Sequence, residues 1–103
     1  MTDRYEGKPF LRLLDSYVLD TIGHLDEANQ AWLVEAEPFF RATFEAEGSW
    51  REIVRSRMQF PDGMDAAIRE FWTKGRLKFI EQNGTEPEPV QFTHMFVDKN
   101  FPH

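Results

Sequence analysis

Residues 63–84 read Gly63-Met-Asp-Ala-Ala-Ile-Arg-Glu-Phe-Trp-Thr-Lys-Gly-Arg-Leu-Lys-Phe-Ile-Glu-Gln-Asn-Gly84, and their periodicity decides the fold class. Met64, Ile68, Phe71, Trp72, Gly75 and Phe79 recur at three- and four-residue steps, the spacing that puts side chains on one face of an α-helix. Asn83-Gly84 tolerates the left-handed conformation that closes a helix. The stretch is therefore expected to be a long amphipathic helix over 63–83, with Asp62 able to cap its start. Leu77 and Ile80 project away from its stripe. Gly75, inside the stripe, lowers helix stability by about 1 kcal/mol relative to alanine, which a close helix crossing would explain.

The same reading extends outward. Phe60-Pro-Asp-Gly63 is a turn. Before it, Gly48 stops one element and Ser49-Trp-Arg-Glu52 starts the next as a capping box, giving a short helix over 50–59. Asp26 is the expected N-cap of a helix running to about Ala46, with a stripe of Trp32, Leu33, Ala36, Phe39, Phe40, Thr43 and Phe44. Pro38 interrupts it, but the stripe keeps its phase, so one long helix kinked at Pro38 is favoured over two shorter ones. A first helix is expected over Pro9–Leu25, since proline suits the first helical position. Phe10, Leu14, Tyr17, Val18, Thr21 and Leu25 form its face, which Leu11, Leu13 and Ile22 widen; Leu19 falls opposite. Downstream, Thr85-Glu-Pro-Glu-Pro89 is a rigid connector into a short helix over 89–100. No segment alternates as a strand would. The expected fold is all-α: a compact single-domain bundle of about five helices over 1–103, with helices 1, 2 and 4 long, 3 and 5 short, and residues 1–7 flexible.

Composition agrees with one folded domain. The chain has 103 residues, ten of them Phe, with three Trp and two Tyr, and such side chains dominate core energetics. A radius of gyration of roughly 13 Å is expected at this length. With no cysteine, thiolate zinc sites, disulfides and thiol nucleophiles are excluded. There is no apolar run suited to a signal peptide or a membrane span, so a cytoplasmic protein without membrane association is expected. The net charge of −6 is unevenly placed: residues 1–48 carry four basic and ten acidic side chains, residues 49–80 seven and four, and residues 81–103 one and four. A basic middle thus lies between acidic ends.

Five features bear on chemistry. Asp20 and His24, and His94 and Asp98, are four residues apart, a spacing that places each pair on one helix face. If the pairs met, they would supply donors for a metal or an acid–base cluster. Gln91, His94 and Asp98 form the one polar strip on an otherwise apolar, mostly buried last helix. Arg51, Arg55, Arg57, Arg69, Lys74, Arg76 and Lys78 make the basic segment a candidate anion or nucleic-acid surface, although the basic residues of the long helix flank its apolar stripe instead of forming one ridge. Arg57 itself is placed to stack on Trp50. Leu19, Leu77 and Ile80 mark an interface if no other helix covers them.

No catalytic serine, phosphate-binding or dinucleotide motif is present, and no specific motif implies a cofactor. The leading expectation is a small non-enzymatic cytoplasmic interaction or regulatory protein acting through helix faces. It would meet a protein partner, an adaptor's basic partner for example, or a second copy of itself. A helical protein binding a metal or small ligand through Asp20, His24, His94 and Asp98 is the alternative, and nucleic-acid binding through residues 51–78, disfavoured by the net acidity, is the third.

Overall fold

The computed structural model describes residues 4–101. Among them are six helices and no strand: α1 (Pro9–Thr21), α2 (Glu27–Glu35), α3 (Glu37–Phe44), α4 (Trp50–Met58), α5 (Met64–Asn83) and α6 (Pro89–Asn100). The fold is all-α and compact, as expected, but one helix richer than the sequence suggests.

The extra helix arises at Pro38. The kinked helix expected over 26–46 is two, α2 and α3, joined at Ala36. Pro38 falls in the first turn of α3, where its missing N–H is harmless, and Phe40 N–H donates to the Ala36 carbonyl at 3.0 Å to restart the ladder. Of the stripe, Leu33 and Phe40 are buried while Trp32 and Phe39 are exposed.

The first helix is shorter than expected, ending at Thr21 and not at Leu25. Gly23 takes φ +82°. Its N–H donates to Asp20 at 3.0 Å and His24 N–H donates to Leu19 at 2.9 Å, the paired closure that satisfies the last carbonyls of a helix. Other ends follow the sequence more closely. Asp26 accepts from Asn29 N–H at 2.7 Å and Ser49 from Glu52 N–H at 3.2 Å, each capping its helix. Asp62 does not cap α5, because the cap position is Gly63, which offers no side chain.

The helix α1 is the hub. It packs against α6, α4 and α5, while α3 covers α4 and α2 leans on α3. Leu11, Leu13, Leu14, Tyr17 and Val18 are all essentially inaccessible, and each fully buried leucine contributes about 1.5–3 kcal/mol. They meet Ile53 and Val54 of α4, Ile68 of α5, and Phe96 and Val97 of α6 in one core, which Phe101 closes. The radius of gyration is 14.3 Å, slightly above the expected value. Along α5, Phe71, Leu77 and Phe79 are exposed. No helix of the described residues is long and apolar enough to cross a membrane.

Candidate interaction surface

Two ionic clusters and one apolar groove stand out among the described residues. The first cluster is centred on α1. Asp15 is fully buried, at a position that elsewhere on this face holds leucine. Arg4 makes a two-pronged contact with it, Nε to Oδ2 at 2.7 Å and Nη2 to Oδ1 at 3.1 Å, and the Tyr5 hydroxyl donates to it at 2.9 Å. His94 Nε2 stands 3.5 Å away. Arg4 also grips Asp98 of α6, at 2.8 Å. A buried carboxylate is tolerable only when paired and hydrogen-bonded in this way. Hydrogen bonding to Asp15 and Asp98 raises the Arg4 guanidinium above its ordinary value, and burial, then the Asp15 charge, pushes the Tyr5 hydroxyl up. Of residues 1–7, expected to be flexible, residues 1–3 lie outside the described part, and residues 4–7 form a turn tied to α1 and α6 by these contacts.

The second cluster joins α1, α4 and α5. The Tyr17 hydroxyl donates to Asp65 and accepts from Arg55 Nε at 2.8 Å; Arg55 Nη2 reaches Asp65 at 2.6 Å. Arg51 pairs with Asp20 and stands 3.6 Å from Asp65, its guanidinium 4.9 Å from the centre of the Tyr17 ring. Burial pushes the Asp65 carboxyl up, but the Tyr17 hydroxyl and the two arginines outweigh it and hold the group below the usual carboxylate range. Burial also raises the Tyr17 hydroxyl.

These clusters separate the Asp/His pairs. Asp20 belongs to Arg51 and Asp98 to Arg4. His24 lies beyond the end of α1, so the helical offset assumed for it does not hold; its ring packs on Trp72 at 5.4 Å. Among the described residues, no group of three or more His, Asp or Glu is placed to hold a metal ion.

Most of the basic segment is likewise occupied. Arg51 and Arg55 have the partners given above, Lys74 pairs with Glu70 and Arg76 with Glu86. Arg57 does not stack on Trp50; its guanidinium lies 5.1 Å from the centres of both Phe10 and Phe44. Arg69 and Lys78 have no ionic partner among the described residues. Four of the seven cations are thus answered locally by carboxylates.

The groove lies between α5 and α6. Trp72 and Phe71 of α5 touch Phe92 and Phe96 of α6 at 5.0 and 5.6 Å between ring centres. These large rings hold the two backbones apart. Beside them opens a cleft of about 250 Å³ lined by Gly75, Phe79, Pro87, Gln91, Phe92 and Met95, with Glu88 at its lip. Phe71 of α5 is 57% exposed; on α6 Val90 is 44% and Met95 63% exposed, so the last helix is less buried than its composition suggests. Of the off-face apolar residues, Leu77 is exposed, while Leu19 and Ile80 are half-buried. Gly75 does not mark a close crossing. A Cβ there would meet only Phe92, at an ordinary 3.6 Å, so nothing inside the chain requires glycine.

Sequence reasoning missed both cluster centres and most of the groove. Asp15 carried a legible signal: it lies four residues after Leu11 and three before Val18, a charge inside an apolar face. Phe71 and Phe79 carried none, because an exposed stripe and a buried one have the same periodicity. Compared with protein-family models, curated proteins and solved structures, the chain shows no match.

Proposed function

We propose that the chain is a small non-enzymatic interaction protein that docks a helical segment of a partner protein in the α5–α6 groove. One observation carries this reading: α5 has 20 residues and three aromatic rings, and the chain buries only its Ile68 and Trp72. A groove between helices, apolar at its floor and edged by polar groups, is the usual receptor for an amphipathic helix. A contiguous exposed apolar face of this kind marks a contact site. The non-enzymatic part of the reading is supported by the two ionic clusters, whose acids, phenols and arginines are turned toward one another. Metal or small-ligand binding through the histidines, and nucleic-acid binding through residues 51–78, draw no comparable support from the positions of those side chains.

A photo-crosslinking benzophenone residue in place of Gln91, with Glu27 on α2 as the control position, tests the proposal in cells of the source organism. Irradiation is expected to give a discrete protein adduct from position 91 and none from position 27. No adduct at 91 overturns it.

A further inference from the structure

We propose that the occupant of the groove is a second copy of this chain, paired about a two-fold axis. The inference rests on the docking role proposed above and adds the identity of the partner. A two-fold interface must be complementary to itself, because the same patch serves both partners. The α5–α6 face meets that condition twice over.

Its shape supplies both halves of a fit. Phe71 and Met95 stand out from the face, more than half exposed, and the recess over Gly75 lies beside them. Projection and hole on one patch let each copy fill the other. The glycine supports this directly. Alanine at position 75 would fit inside the chain and would favour the helix, so the missing methyl leaves space only for something outside the chain.

Its charges are also paired in sign. Lys78 is exposed on α5 next to Phe79, and Glu88 is exposed at the α6 lip of the cleft. Neither has an ionic partner among the described residues. A uniformly basic or acidic helix would be attracted by one of these charges and repelled by the other. A second copy in two-fold orientation sets Lys78 against the partner's Glu88 and Glu88 against the partner's Lys78, and so satisfies both. The overall charge of −6 makes this pairing tighten as salt screens the repulsion between copies, until the local pairs are screened as well.

The purified full chain tests this by sedimentation equilibrium from about 1 to 300 µM, a range centred on the micromolar affinities at the weak end for interfaces of standard size. A reversible dimer is expected. Lys78→Glu and Glu88→Lys, each turning two exposed attractions into repulsions, should weaken it by roughly tenfold. An equimolar mixture of the two variants should recover the dimer, because each then supplies the charge the other lacks. Gly75→Leu should weaken it by more than the charge variants while leaving helix content unchanged by circular dichroism.

A monomer at every concentration overturns the inference. So does a dimer whose affinity none of these variants changes, because its interface then lies elsewhere. If the chain is monomeric while position 91 crosslinks to a different protein, self-pairing falls and the docking role stands. If position 91 crosslinks to nothing, both fall.

Discussion

The helices α1 and α5 are built to opposite plans. The first has 13 residues, of which eight are buried, Asp15 and Thr21 among them; the second has 20 residues, of which two are buried. Both carry apolar residues at helical spacing, so periodicity alone does not say how much of a helix a fold will cover. What separates them is neighbours. α1 lies among three helices, whereas α5 packs on α1 and meets α6 through aromatic rings. A helix that is apolar well beyond what its own chain covers is a surface prepared for contact, and this difference underlies the functional reading.

The largest break in the comparison is expected from leucines. Leu14→Ala on α1 should destabilise the fold by about 3–5 kcal/mol, because it empties space that the surrounding helices cannot fully close. Leu77→Ala on α5 should change stability by under roughly 0.5 kcal/mol, as surface substitutions do. Urea denaturation of both variants checks this, and equal losses would show that the distal part of α5 is packed after all.

Next in size is Asp15→Ala. Removing one partner of a buried ion pair is strongly destabilising. Arg4 is partly exposed and can turn to water, so the expected loss is about 2–4 kcal/mol, below the full penalty. The Asp62→Ala variant, which removes no cap and no ion pair, should be near neutral in the same denaturation assay.

The alkaline limb of stability sharpens the contrast further. The Tyr5 and Tyr17 hydroxyls have folded pKa values raised above the ordinary 10.0. Their contribution is therefore complete below about pH 10 and is lost as pH rises toward the folded values. Denaturation midpoints should fall above about pH 10, and a Tyr5→Phe, Tyr17→Phe double variant should show a flatter decline over that range. Asp65, held below the usual range, works in the other direction, contributing stability that is lost on acidification below about pH 4.

The smallest expected change is a gain. Gly75→Ala should stabilise the isolated chain by about 0.5–1 kcal/mol, measured by denaturation at micromolar concentration, since Phe92 tolerates the added methyl. A loss would mean that the backbone around position 75 is tighter than the 3.6 Å approach indicates.

Helical class, the caps at Asp26 and Ser49, and the last three helix spans were legible in the sequence because they depend on residues close together in the chain. The split at Pro38 was less so: proline interrupts a ladder in either case, and whether the axis bends or breaks depends on what α3 packs against, here α4. The early end of α1 turned on Gly23, whose left-handed conformation a Gly-His-Leu-Asp run permits but does not demand. The site was harder to read. Arg4 and Asp15 are eleven residues apart, but Arg4 and Asp98 are separated by 94, and no local rule connects positions that distant. The α5–α6 groove exists because rings on two helices meet at a particular depth, which is a property of packing and not of pattern.

The attachment of α1 to α6 also has a consequence for timing. During synthesis from the N-terminus, α1 emerges before the other five helices described, with its leucines bare. The helix that covers it most extensively is the last of the six, and Arg4 cannot complete its bridge to Asp98 until that helix is present. Helical bundles fold fast when their contacts are local, but here the decisive one joins the first and last of the described helices. The nascent protein must keep the apolar face of α1 from wrong associations until α6 has been made.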